Sequence, residues 1–316
     1  MRSPAPARRA ASGSRGFLKR SQPRYGEKAV KALLVAASLV SLLTTVGIVV
    51  ALIPPAAEFF GKVGFGDFIT GTNWSPLFKP AHFGVLPLVT ATLLVTLIAL
   101  LVAVPLGLGA AVYLSEYANP RVRSVFKPLL EVLAGIPTVV YGFFALKALT
   151  PLLQDFWPVG DPPQVFNALS AGFVMGIMII PTIASLSEDS MNAVPHDLRD
   201  GAFALGSSRM QVSTRVVFPA ALSGIVAAIV LGISRAIGET LIVAIAAGGR
   251  PNLTFNPIEG MQTMTAFIAA AGIGDLPTGS TGYQTIFAVG LLLFVMTLVM
   301  NLVSIRLVRR YREVYE

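Results

Sequence analysis

The chain has 316 residues, 54% hydrophobic and only 13% charged, about half the charged share of an ordinary soluble domain, which excludes a soluble globular protein. It has no cysteine and two distant histidines, His82 and His196, so disulfides, thiolate metal centres and a histidine-based metal cluster are excluded as well. The net charge of +8 does not point to nucleic acid, because the basic residues flank apolar segments and form no separate patch.

In chain order, residues 1–28 form a basic tail rich in Pro, Ser, Ala and Arg, a composition expected to be disordered. A helix needs about 20 apolar residues to cross the hydrocarbon core. Six stretches meet that length: about 29–53, 83–113, 128–150, 166–187, 219–247 and 283–305. The first lacks a small-residue cleavage site and reads as a retained span, not a signal peptide. The third is interrupted by Glu131, Gly135, Pro137 and Gly142. A kinked, pore-lining helix with hydroxyls from Thr138 and Tyr141 fits that stretch, and so does close helix packing through the glycines.

Basic residues set the orientation. The tail, the 114–127 loop with Arg121, Arg123 and Lys127, the 188–218 loop with Arg199, Arg209 and Arg215, and the C-terminal end with Arg306, Arg309, Arg310 and Arg312 all fall on one side. The opposite loops, 54–82 and 248–282, hold only Lys62, Lys79 and Arg250. Both termini are therefore expected in the cytoplasm, and the fold class is an all-α, polytopic membrane protein with six spans. Trp74 in the first outer loop fits either a headgroup anchor or a contact for a docking protein. Glu188 and Asp189, just after span four, fit a solvated edge or pairing with nearby arginines.

The 188–218 loop is too long for a tight turn and helix-prone from Pro195, a good helix start with Asp197 and Asp200 placed for the early turns. Ala202, Leu205 and Met210 offer an apolar face, and Gly206 marks a bend. An interfacial helix lying on headgroups is one reading. No G-x-x-x-x-G-K-[ST] loop occurs, so the chain has no P-loop for ATP.

Span five carries Arg235 and Glu239, each costing about 2.5–3.5 kcal/mol at mid-bilayer depth on insertion scales. Three readings fit: the pair neutralises itself across one helical turn, it faces another subunit, or it lines a substrate path. Arginine's planar fork matches an oxyanion bidentately, and a carboxylate accepts the hydroxyl of a protonated anion.

The spacing Asp200-Gly201-Ala202, Gly206, Pro219 resembles the EAA loop of bacterial ABC importer permeases, with Asp200 and Gly201 in place of that family's usual Glu and Ala. "LAGIPTVVYGFFAL" (133–146), "IMIIPTIASLSEDSMNAVP" (177–195) and "SRAIGETLIVAIAAG" (234–248) resemble the permeases of phosphate importers. "FITGTNWSPLF" (68–78) and "YQTIFAVGLLLFVMTLVMNLVS" (283–304) resemble their PstC type. The likeness runs over about residues 65–310.

The resemblance implies a MetI-like permease domain over 29–316 in a bacterial inner membrane. It also implies an ATPase-coupling helix with Asp200, Gly201, Ala202, Leu205, Gly206 and Arg209. The substrate path would pass Arg235, Glu239, Thr240, Thr138 and Tyr141. Implied partners are a PstA-type sister permease, two PstB-type ATPase subunits, a PstS-type external phosphate-binding protein, inorganic phosphate and membrane lipid. Neither a catalytic residue, a cofactor nor a metal is expected in this chain. A permease for molybdate, sulfate or phosphonate is the nearest alternative. A secondary anion transporter is further off, since it has no use for a coupling loop.

Overall fold

The computed structural model describes residues 25–311 apart from 77, 159 and 275; the expected disorder of residues 1–24 and the basic Arg312 lie outside them. The regular structure of the described chain is helical except for one two-stranded ribbon, with irregular segments such as 248–263 between helices. Contacts divide it into two compact units, residues 1–50 and 51–316. In the first unit, the described residues lie in helix α1 (Tyr25–Lys62), whose apolar side chains, such as Leu33 and Leu43, are exposed. Such a surface is matched by hydrocarbon, not by water.

The second unit begins with the end of α1. Helix α2 (Phe65–Thr70) and an antiparallel ribbon follow, pairing β1 (Trp74–Ser75) with β2 (His82–Phe83). Helix α3 (Leu86–Val112) runs into a π turn, Tyr113–Tyr117, and Asn119 then caps α4 (Pro120–Ala134) by accepting from the Val122 amide at 2.8 Å. Pro120 at the first helical position adds to that start signal. Next come α5 (Thr138–Phe144), a π turn at Ala145–Leu149, α6 (Thr150–Asp155) and α7 (Ala168–Asn192).

Helices α8 (His196–Ala204), α9 (Arg209–Val212) and α10 (Phe218–Ala220) fill the segment between α7 and α11 (Leu222–Gly238). The chain closes with α12 (Met264–Gly272) and α13 (Thr281–Tyr311).

Among the described residues, α1, α3, α7 and α13 are each long and apolar enough to cross a membrane, and two bent pairs bring the number to six if each is one crossing. The third stretch is not the single kinked helix expected over 128–150. It is two helices, Pro120–Ala134 and Thr138–Asp155, turned by 87°. The cause is local: Pro137 has no amide donor and sits at φ −57°, ψ 135°, so the helix before it stops and α5 starts afresh. A 71° bend likewise separates Arg209–Ala220 from Leu222–Gly238, just after Pro219.

Helix α7 is the centre of the fold. Its Met175, Met178, Ile179 and Ile183 are buried against small residues of α3, Ala91, Ala99 and Ala103, with Ala236 of α11 and Ile242 completing the cluster. Small side chains on one helix let the other approach closely, as in membrane helix pairs generally. A satellite cluster on the outer side joins Phe59, Phe68, Trp74 and Phe267 edge to face, with the Trp74 and Phe267 centroids 4.9 Å apart. Trp74 is only 5% exposed. It is thus a packed core residue rather than the headgroup anchor allowed by the sequence, and its burial also removes it as a docking contact.

Candidate functional site

Arg235 sits in the last turn of α11, half-buried, and donates from Nη1 to the Thr182 hydroxyl of α7 at 3.3 Å. Thr182 follows Pro181, which interrupts the α7 ladder. Among the described residues no carboxylate lies within ion-pair distance of Arg235. Mutual neutralisation with Glu239 across a helical turn is therefore not what the fold builds.

The reason is that α11 stops at Gly238. Glu239 is extended, at φ −67° and ψ 133°, and its Oε1 accepts the backbone amides of Leu241 and Ile242 at 3.1 and 3.3 Å. It caps the helical turns that continue to Ala247, satisfying donors otherwise orphaned at a helix start. Its carbonyl accepts the buried Thr265 hydroxyl at 2.6 Å, which ties α12 to this break.

The other path candidates sort as follows. Tyr141 is 7% exposed, shares a buried cluster with Ala236, and donates its hydroxyl to the Leu133 carbonyl at 2.8 Å, bridging the break between α4 and α5. Thr138 is the half-buried first residue of α5. The Thr240 hydroxyl turns back to the Gly238 carbonyl at 3.2 Å. Among the described residues no hydrogen bond joins Thr138, Tyr141, Glu239 or Thr240 to Arg235. The fold thus brings Arg235 to Thr182, a residue singled out only as part of a longer stretch.

On the cytoplasmic side Pro195 caps α8, as its position predicts, and Asp200 and Gly201 are exposed upon it. Ala202 packs inward against a cluster with Val194, Val212 and Ile225. Leu205 and Met210 do not share that face: they stand 89% and 68% exposed. Gly206 takes φ +82°, a left-handed turn that glycine adopts without strain. Ser208 and Gln211 then close a reciprocal capping box, 3.4 and 2.8 Å, ahead of exposed Arg209.

The burial of Arg199 was not legible in the sequence, whereas the pairing of Glu188 with a nearby arginine is one of the two readings the sequence allowed. Arg199, 9% exposed, donates to the carbonyls of Val194 and Met191 at 2.6 and 2.7 Å and pairs with Glu116 at 3.1 Å. Glu188, wholly buried, pairs with Arg123 at 2.6 Å and Lys127 at 3.2 Å. The available signal was the spacing of Arg123 and Lys127, four apart on one face of an amphipathic helix. Among the described residues no group of three or more His, Cys, Asp or Glu is arranged to hold a metal.

The family model described as "Binding-protein-dependent transport system inner membrane component" matches residues 103–313. The probable ABC transporter permease protein YqgH of Bacillus subtilis is 37% identical, over 73% of this chain and 74% of its own. Phosphate transport system permease protein PstC 1 of Mycobacterium tuberculosis is 36% identical, covering 77% of this chain and 81% of its own. PstC of Mesorhizobium japonicum is 31% identical, covering 83% and 84%. In fold, the chain is similar to a chain of the bacterial alginate ABC transporter (TM-score 0.62, 17% identity, 90% of this chain and 95% of the other). It is also similar to the MetNI methionine transporter, with TM-score 0.53, 18% identity, and 73% and 95% covered.

Proposed function

Because the chain belongs to the binding-protein-dependent transport system inner membrane component family, among its PstC-type permeases, we propose that it carries inorganic phosphate through an ATP-driven importer in a bacterial cytoplasmic membrane. It is a multi-pass transport subunit and not itself an enzyme. Its proposed partners are a sister permease, two cytoplasmic ATPase subunits and an external phosphate-binding protein.

The observation that carries the reading is the half-buried guanidinium of Arg235, without a carboxylate partner among the described residues, at the break between α11 and the turns that follow. A cation at that depth is offset by a wet cavity or by an anion passing through it. Of its five donors, one is engaged by Thr182, which leaves a fork for two phosphate oxygens. Glu239 uses Oε1 for both amides. Its Oε2 accepts the hydroxyl of HPO4 2− or H2PO4 −, a donor that sulfate lacks at neutral pH.

Selectivity tests the reading. In vesicles holding the assembled complex, ATP-dependent 32P-phosphate uptake is expected to be blocked by excess arsenate and unaffected by equal sulfate or molybdate. Uptake of labelled molybdate or sulfate in place of phosphate would move the assignment to another oxyanion.

The coupling helix gives a second expectation. Leu205 and Met210 are exposed apolar side chains beside Arg209, the kind of anchor a partner's groove desolvates. Leu205→Glu with Met210→Glu is expected to lower co-purification of the ATPase subunits about tenfold or more. Neither side chain packs in the core, so the permease itself should accumulate normally.

A further inference from the structure

Glu188 sits where no solvent reaches it, at the cytoplasmic end of α7, and a carboxylate in such a place must be held by charge and hydrogen bonds or lose its charge. It is held by α4, distant in sequence, and by its own helix. Its Oε1 meets Arg123 Nη2 at 2.6 Å and its Oε2 faces Lys127 Nζ at 3.2 Å, both from α4. The Asn192 amide, one turn along α7, donates to the same Oε1 at 3.0 Å.

Asn192 leads onward. Its Oδ1 lies 3.3 Å from the Ser115 hydroxyl, and that hydroxyl lies 3.0 Å from Glu116 Oε1. One proton serves one acceptor at a time, so Ser115 joins whichever side demands it. Glu116 is the partner of Arg199 on α8, and Arg199 also grips two carbonyls at the end of α7.

The far end of α4 completes the line. Leu133, in its last turn, supplies the carbonyl that holds the Tyr141 hydroxyl across the Gly135–Pro137 break. One continuous helix thus connects the buried carboxylate to a side chain packed in the same cluster as Ala236, next to Arg235.

We infer that Glu188 is a positioning residue that makes α4 move with the coupling helix, so that a shift of α8 at the cytoplasmic face resets the Leu133–Tyr141 contact beside Arg235. The inference rests on the importer reading for the source of the motion, though not on which anion is carried. A plain structural ion pair would hold the fold together in every state and would not set transport per ATP. Contiguous packed and hydrogen-bonded elements with two arrangements are the physical carriers of such coupling.

The test uses the whole complex in proteoliposomes with the external binding protein and inorganic phosphate. Glu188→Gln keeps the shape and removes the charge. It is expected to assemble and to keep basal ATP hydrolysis, while phosphate moved per ATP falls about tenfold. Glu188→Asp is expected to restore part of that ratio, and Glu131→Gln, exposed on the same helix, to leave it unchanged.

The chain has no native cysteine, so spin labels at Val125→Cys and Asp197→Cys report the α4–α8 distance directly. In the native background this distance should stay the same between nucleotide-free and ATP-bound states, because α4 moves as one unit with α8, and in Glu188→Gln it should change as the two helices move independently. An assembled Glu188→Gln complex with native transport per ATP, or with a distance that stays as constant as in the native background, overturns the proposal, and so does a native distance that itself changes with nucleotide. If that variant does not assemble, Arg123→Gln and Lys127→Gln, each removing one partner at the exposed side, take its place. Each is expected to lower the ratio about threefold, and a native ratio in both overturns it. Absence of phosphate uptake by the native complex would instead defeat the importer reading, while the label distances still judge the linkage.

Discussion

Replacing Arg235 with Gln is expected to lower ATP-dependent phosphate uptake about hundredfold while leaving the amount of assembled complex unchanged. The size follows from what is lost. Charge-assisted hydrogen bonds to a desolvated anion contribute about 1.5–3 kcal/mol each, and the upper value alone is about a hundredfold in rate. The fold should tolerate the change, because the guanidinium makes one side-chain hydrogen bond, to Thr182, and no ion pair among the described residues. Removing a half-buried cation also relieves a cost of about 2.5–3.5 kcal/mol. Arg235→Lys keeps the charge but not the planar fork, and about a tenfold loss is expected. Uptake of radiolabelled phosphate at matched complex levels measures all three proteins. An Arg235→Gln protein with native uptake would make Arg235 a packing residue.

The largest stability effect is expected where α3 and α7 touch. A Cβ placed on Gly176 would stand 2.8 Å from the Ala99 carbonyl and 2.8 Å from Val102 Cβ, and one on Gly172 would stand 2.7 Å from Ile98 Cβ. The first obstacle is backbone, which cannot rotate away. Gly176→Val adds three carbons to this seam and must push the helices apart, and overpacking of this kind costs about 3 kcal/mol or more. Because α7 is the central helix, the loss should spread to its contacts with α4, α5 and α11. The expected result is thermal unfolding in detergent lowered by several degrees and a much smaller folded yield. Gly109→Ala, on the same α3 but with open space around its new Cβ, is the matched control and should be neutral.

The parts of this fold that a linear reading could find are those set by local chemistry. The long apolar runs of α3, α7 and α13 announce themselves by length, and Pro195 and Gly206 mark the two ends of the α8 segment through φ preferences that need no tertiary contact. Pro137 signalled an interruption over 128–150, but its size did not follow from the residue. Whether a proline bends a helix slightly or turns the chain by 87° depends on what the freed groups bond to, here the Tyr141 hydroxyl on the Leu133 carbonyl.

Glu239 shows the opposite failure. Counting four residues from Arg235 assumes that the helix continues, and it stops at Gly238, after which the carboxylate serves two backbone amides of its own segment. For Glu188 the sequence allowed a solvated edge or pairing with nearby arginines, and the fold builds the second by burying it against Arg123. Its partners lie more than sixty positions away on α4, a distance that only the fold can close. Trp74 was misplaced for the same reason: the aromatic neighbours that bury it come from α2 and α12.

The most direct measurement of the central claim exploits the cysteine-free chain. Arg235→Cys, in a complex whose partners also lack cysteine, is treated with a thiol reagent that leaves either a cationic ethylammonium or an anionic ethylsulfonate group, and phosphate uptake is measured before and after. The account predicts a nearly inactive Cys protein, recovery of uptake with the cationic adduct and none with the anionic one. Slower labelling is expected while phosphate-loaded binding protein and ATP keep the path occupied. Native uptake by the unmodified Cys protein, or equal uptake with adducts of either sign, would contradict a phosphate path at Arg235.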